Sequence, residues 1–251
     1  MQRSHSSVHL AVVVPAYNEE RRLLATIGQL REFLVSREWS WEIRVVDDGS
    51  TDGTARVVSS LQSEDPRIVL QREPHRGKGG AVRAGLLAAS SQYCFICDAD
   101  LSMPVHELPR FLPPSLADFD VAIGTREGLG ARRVGEPLSR HLAGRAFNTL
   151  VRWLMVPGIQ DTQCGFKMFT AAAVDAIFPH VTVEGWAFDI EALFIARRRG
   201  LRIREVPIEW HYRRESHVRM LRDGAGMFGE LLRMRIRARR GKYDLPAGRP
   251  R

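Results

Sequence analysis

Three times in the first hundred residues, a short apolar run stops on a cluster of polar and acidic side chains. Leu10–Pro15 leads into Tyr17-Asn18-Glu19, Trp41–Val46 into Asp47-Asp48, and Tyr93–Cys97 into Asp98-Ala99-Asp100. Runs this apolar are strands covered on both faces. The segments between them have helical character. Glu19–Ser36 repeats Leu23, Leu24, Ile27, Leu30 and Leu34 at helical spacing, Asp52–Leu61 opens behind polar caps, and Arg76–Ser91 is rich in Gly and Ala. Arg67–Leu70 supplies a further strand. Repeated strand–helix units of this kind predict an α/β fold, a mainly parallel central sheet with helices on both faces. Such sheets bind ligands at the carboxyl ends of their strands, where the polar clusters fall.

Beyond residue 120 the pattern predicts a strand over Asp120–Gly124, a Gly- and Arg-rich loop over Gly124–Glu136, and a helix over Ser139–Val156. A polar-to-apolar segment, Asp161–Phe169, comes next. A helix is expected over Glu184–Arg199, a strand over Arg202–Trp210 and a last helix over Met220–Arg240. No linker or repeat divides the 251 residues, which suits one domain with a C-terminal appendage. Apolar residues at 44% and charged residues at 26% exclude a disordered, collagen-like or coiled-coil chain. Three cysteines make no disulfide framework, so a reducing cytoplasm is expected, and Cys94 and Cys97 read as two small buried side chains. No apolar run reaches membrane-span length, and no signal peptide is evident.

The net charge of +8 is unevenly spread. Residues 197–251 carry all of the basic excess, and the preceding residues are slightly acidic. A basic tail on a near-neutral body predicts an anionic surface as partner. A nucleic acid fits poorly, because the tail lacks interleaved aromatic residues and the acidic strand ends would repel phosphate.

The Asp98-x-Asp100 pair at a strand end suits a hard divalent cation shared with a diphosphate. Asp47-Asp48-Gly-Ser offers a carboxylate to a nucleobase or ribose, although turn chemistry alone also favours these residues. Arg76-Gly-Lys78-Gly-Gly-Ala81 is basic and Gly-rich, which suits phosphate. It is not a P-loop, and its glycines would equally serve close helix–sheet packing.

In this order, Pro15-Ala-Tyr-Asn-Glu19, Val45-Val-Asp-Asp-Gly-Ser-Thr-Asp-Gly-Thr54 and Asp98-Ala-Asp-Leu101 resemble glycosyltransferase family 2, the inverting GT-A fold. Arg76–Arg83, Gly158–Phe169 and Glu184–Glu191 narrow the likeness to the dolichyl- and polyprenyl-phosphate β-glucosyltransferase branch, over about residues 8–217. The resemblance implies a GT-A domain at 8–217, followed at 218–251 by a basic amphipathic helix and tail. It places Pro15, Ala16, Tyr17, Glu19, Val46 and Asp48 at the nucleotide, and Asp98 and Ala99 at the nucleotide sugar. It gives Mg²⁺ or Mn²⁺ to Asp100 together with Asp98, the diphosphate to Arg126 with Lys78, and the sugar or acceptor to Asp161 and Gln163. The family's C-terminal phosphate-binding Lys is replaced here by His217, with Arg213 and Arg219 as possible substitutes.

The implied activity is transfer of glucose from a UDP-sugar donor to a polyprenyl-phosphate acceptor. GDP-mannose as donor and a saccharide hydroxyl as acceptor are the alternatives. An acceptor phosphate is already anionic, so Asp161 and Asp189 stay open between base, sugar-orienting group and brace for Arg or Lys. In the last helix Leu221, Ala225, Phe228, Leu232 and Ile236 form one stripe, widened by Met220, Met227, Leu231 and Met234, with arginines opposite. That pattern suits a helix lying on an anionic membrane surface, and a peripheral location on its inner face. It suits packing on the sheet or a dimer equally, and leaves the oligomeric state open.

Overall fold

The structure is a computed structural model that describes residues 8–212 and 220–244. The side chains of Met220–Ala225 and of Ser139, Arg140, Ala143 and Phe147 fall outside the described set, as do His217, Arg213 and Arg219. The first half alternates β1 (Leu10–Ala16), α1 (Glu20–Val35), β2 (Trp41–Asp48), α2 (Thr54–Glu64), β3 (Ile68–Glu73), α3 (Lys78–Ala88) and β4 (Tyr93–Ile96). A 3₁₀ helix, Val105–Phe111, leads to β5 (Val121–Thr125), β6 (Arg132–Val134) and α4 (Leu138–Leu154). Then come β7 (Lys167–Thr170), α5 (Ala171–Ile177), α6 (Phe188–Arg198), β8 (Ile203–Pro207), β9 (Glu209–His211) and α7 (Met220–Arg239).

Seven strands form one sheet in the order β3-β2-β1-β4-β7-β5-β8, all parallel to their neighbours except β7. The strand order reverses between β1 and β4, which opens the crevice where such sheets take their ligands. β1 feeds both faces. Ala11 and Val13 enter the core beneath α3, α5, α6 and α7, while Leu10, Val12 and Val14 enter the core beneath α1 and α2. α1 buries Leu23, Ile27, Leu30 and Leu34, the stripe expected from its spacing. Each such side chain contributes about 1.5–3 kcal/mol of burial free energy.

Three expectations are corrected. The Gly124–Glu136 segment is not wholly loop, because Arg132–Val134 pairs with Glu209–His211 as a small second sheet. That pairing also splits the strand expected over Arg202–Trp210 into two. The helix expected from Glu184 begins at Phe188, because the Glu184 carbonyl is occupied by the N–H groups of Gly79 and Gly80 in α3.

The last helix docks on the body. Met227, Leu231 and Met234 are buried, followed by Ala238 and, just beyond the helix, Tyr243. Phe228, Leu232 and Ile236, the other part of the sequence stripe, stay about half exposed. Tyr243 Oη donates to Glu191, whose buried carboxylate also accepts the Thr182 and Val183 N–H groups and the Thr182 hydroxyl. Cys94, Cys97 and Cys164 are buried and in no disulfide.

Candidate active site

The loops after β1 and β2 are stitched together. Asn18, in the left-handed region at φ 55°, accepts the Thr51 N–H and donates its own N–H to Ser50 Oγ. The Glu19 N–H donates to Thr54 Oγ1. Asp47 accepts the Ser50 N–H. Asp48 is buried and accepts the N–H groups of Arg76 and Gly77 on separate oxygens, at 2.9 and 2.8 Å, with His75 Nδ1 2.9 Å away. The Tyr17 ring stacks on His75 at 4.1 Å between centroids, and forms a part-exposed aromatic platform beside Asp48. Val46 is fully buried under α3, so its side chain belongs to the floor of the site rather than to its surface.

The glycine-rich segment works through close approach. Gly77 has φ 105°, and a Cβ there would lie 2.8 Å from the Glu184 carbonyl. That carbonyl accepts the N–H groups of Gly79 and Gly80, so the segment after α5 caps the start of α3. Lys78 is thereby held with Nζ 2.5 Å from Asp98 Oδ1 and 5.4 Å from the Trp186 ring centroid. Burial opposes the Lys78 charge, but Asp98, Asp189 and Asp100 outweigh it and hold the ammonium above the ordinary lysine value.

Asp98-Ala99-Asp100 turns sharply out of β4. Leu101 adopts φ 45°, a strained conformation for a bulky residue and of the kind that accumulates at functional sites. Thr26 Oγ1 donates to the Ala99 carbonyl and Asp100 Oδ1 accepts the Ser102 N–H. Two carboxylates, one of them balanced by a lysine, suit a hard divalent cation that completes its shell with ligand oxygens. No group of three His, Cys, Asp or Glu that could hold an ion occurs among the described residues. The far wall is Gly165, which lies so close to Asp98 that a Cβ there would meet Oδ2 at 2.0 Å.

Gly165 belongs to the segment that carries the other charged groups. Asp161 accepts from Arg126 through Nε at 2.7 Å and Nη2 at 2.9 Å, and from the Arg126 backbone N–H. Burial would raise the Asp161 pKa, but Arg126 overcomes this and brings it to about 2. The Arg126 guanidinium also lies 5.3 Å from the Trp210 ring centroid. Gln163 points to α7, with Nε2 3.9 Å from Met227 Sδ. Asp189 pairs with Lys167 at 2.8 Å, and burial raises its pKa. Three of these groups, His75, Lys167 and Trp210, were not among the candidates. The sequence signal for Lys167 is a lysine opening an otherwise apolar strand.

Nucleotide-contact candidates at the ends of β1 and β2, an acidic pair at the end of β4 and a basic Gly-rich helix start beside it make this a GT-A fold. The chain belongs to glycosyl transferase family 2, whose model matches residues 11–178. Among its relatives, dolichyl-phosphate β-glucosyltransferase of Dictyostelium discoideum is 34% identical over 92% of this chain and 75% of the relative. The enzyme of the same name from Homo sapiens is 33% identical over 94% and 78%. That of Trichomonas vaginalis is 36% identical over 86% and 68%. Glucosyl-3-phosphoglycerate synthase from Mycobacterium tuberculosis, solved with Mn²⁺, UDP-glucose and phosphoglyceric acid, superimposes with a TM-score of 0.66 at 18% identity, covering 96% of this chain and 82% of that one.

Proposed function

We propose that this protein transfers glucose from UDP-glucose, with inversion at C1, to the phosphate of a dolichyl or other polyprenyl phosphate. The observation that carries the reading is the convergence of Asp48, Lys78, Asp98, Asp100 and the Arg126–Asp161 pair along the sheet's carboxyl edge. The chain that carries them is about a third identical, over most of its length, to enzymes named for that reaction.

An acceptor phosphate oxygen attacks C1 from the face opposite UDP. The C1–O bond to the β-phosphate breaks, and its electron pair leaves on UDP. No proton has to be removed from the nucleophile. Asp161 and Asp189 are each already committed to a cation, Arg126 and the buried Lys167, which favours bracing over base catalysis. Asp161 uses two of the five N–H donors of the Arg126 guanidinium, which leaves others for a diphosphate. Lys78 supplies a second positive charge to the leaving group. Asp98 and Asp100 would hold Mg²⁺ or Mn²⁺, which would neutralise charge growing on the diphosphate. Pro15, Ala16, Tyr17 and Glu19 would border the nucleotide.

An anionic membrane surface is the second part of the proposal. Among the described residues no helix is long and apolar enough to cross a bilayer. α7 meets the C-terminal end of α4 through an Arg235 guanidinium hydrogen bond to the Leu154 carbonyl. Both expose apolar residues. Leu142, Leu150 and Trp153 lie along α4, with Trp153 78% exposed, and Phe228, Leu232 and Ile236 lie along α7. The two helices hold eight arginines against two carboxylates, so pairing this face with a copy of itself would set like charges together. α4 also reaches the site, because Asn148 Nδ2 donates to the Gln160 carbonyl and Asn148 Oδ1 accepts the Thr162 hydroxyl. Basic residues near an anionic bilayer contribute about 1 kcal/mol each.

A donor panel with polyprenyl phosphate tests the chemistry. UDP-glucose should be the preferred donor, and turnover of GDP-mannose alone would overturn the reading. Sedimentation with anionic vesicles tests the surface. Binding should fall with salt and in Trp153→Asp, whereas a supernatant dimer at low salt would refute it.

A further inference from the structure

Lys167 occupies a costly position. It opens β7, an interior strand of the sheet, opposite Ile96 on one neighbour and Ile123 on the other, and its side chain is wholly buried. Lone ammonium groups are not tolerated in such surroundings, so the partners of this one define its purpose. Nζ lies 2.8 Å from Asp189 Oδ1 and donates to the Cys164 carbonyl. The second contact ties down the Asp161–Phe166 segment, whose Gly165 forms the wall against Asp98. The first occupies the carboxylate of Asp189, whose charge also acts on Lys78.

The site therefore contains two lysines and competing carboxylates. Lys78 is held by Asp98 at 2.5 Å, and Lys167 by Asp189 at 2.8 Å. We propose that Lys167 is a positioning residue for the donor diphosphate: by neutralising Asp189 through their ion pair and anchoring the Cys164 carbonyl, it leaves Lys78 on Asp98, where it meets the diphosphate. Without the Lys167 ammonium, Asp189 is a buried carboxylate with no close cation. Lys78, held 2.5 Å from Asp98 and already coupled to the Asp189 charge, is the replacement, and turning to Asp189 takes it away from the diphosphate. The uridine end, at Asp48 and Tyr17, has no contact with this pair.

The role rests on the UDP-sugar reading and is tested by binding as well as turnover. Calorimetry with UDP and with uridine, each in EDTA, is run on wild type, Lys167→Met and the charge-balanced Lys167→Met/Asp189→Asn. Lys167→Met should bind UDP about tenfold or more weakly, the scale of one charge-assisted contact, with uridine affinity unchanged. The double variant should recover most of the UDP affinity, because the neutral amide that replaces the Asp189 carboxylate no longer competes for Lys78. The kcat for glucosyl transfer should follow UDP affinity through the series. If the double variant binds UDP as weakly as Lys167→Met, or if uridine affinity falls equally, Lys167 is only a structural residue and the proposal fails. If Lys167→Met does not fold, weak UDP binding by the folded double variant still overturns it. If wild type binds GDP and not UDP, the donor reading fails while the Lys167 role is decided by the same series with GDP. If wild type binds neither, both fail.

Discussion

Replacing Gly165 with Ala adds one methyl group to the molecule at the point where it touches Asp98. The backbone at Gly165 lies outside the left-handed region, so alanine introduces no conformational strain there. The new Cβ would sit 2.0 Å from Asp98 Oδ2 and 2.8 Å from its Cγ, against an ordinary contact of 3.4 Å or more. The carboxylate must therefore retreat by about 1.4 Å, the difference between the first and last of these distances. It cannot do so and keep the 2.5 Å contact with Lys78 unless the lysine moves as well. The carboxylate is the end of a side chain facing a crevice, so the stability cost should stay near the low end of overpacking, about 1 kcal/mol. For a chain of this size that lowers Tm by ~2–4 °C. Activity should suffer far more, since displacement of a reacting-centre group by ~1 Å costs about a hundredfold. Steady-state transfer from UDP-glucose, with a thermal melt on the same preparation, separates the two effects. Activity within threefold of wild type would refute the contact between Gly165 and Asp98 as a determinant of the site. A collapse of Tm with activity would refute the claim that the effect is local.

Asp48→Ala removes the acceptor for the N–H groups of Arg76 and Gly77, and should weaken UDP and uridine by a similar factor, about tenfold, while kcat changes less; calorimetric titration checks this. Asp161 has a folded-state pKa of about 2 against an ordinary 3.8, so its contribution of about 2 kcal/mol is present above pH 3.8 and disappears as pH falls through 2. The Tm gap between wild type and Asp161→Asn should accordingly be wide at pH 5 and narrow towards pH 2. Asp100→Asn should abolish metal-stimulated transfer with little change in Tm, because the carboxylate lies at the surface of a turn; retained transfer with an unchanged metal optimum would move the cation elsewhere.

Strands β1 and β4 were legible in the sequence because each is apolar on both faces and stops abruptly on polar groups, and β2, which carries Glu42 and Arg44 on one face, because Val45-Val46 stops on Asp47-Asp48. The same stops located Asp48, Asp98 and Asp100. The pairing of β6 with β9 left no such trace, since both are three-residue strands made largely of polar residues. The division of α7 into a buried and an exposed stripe was equally hidden. Met227, Leu231 and Met234 differ from Phe228, Leu232 and Ile236 only by one or two positions along the helix, and only the position of the body decides which set is covered. Asp161 and Asp189 stood out as carboxylates, but their commitment to Arg126 and Lys167 depends on partners distant in sequence or buried in another element. The Gly-rich segment suggested either phosphate or close packing. Its glycines serve packing, and Lys78 between them is the group that reaches Asp98.

The stereochemistry of the product tests the central claim most directly. Purified protein incubated with UDP-glucose, which is α-linked, polyprenyl phosphate and Mn²⁺ should yield a glucosyl phosphate lipid whose anomeric proton coupling in the NMR spectrum is that of a β linkage, as a single displacement at C1 requires. An α-linked product, or release of free glucose without a lipid product, would contradict the account.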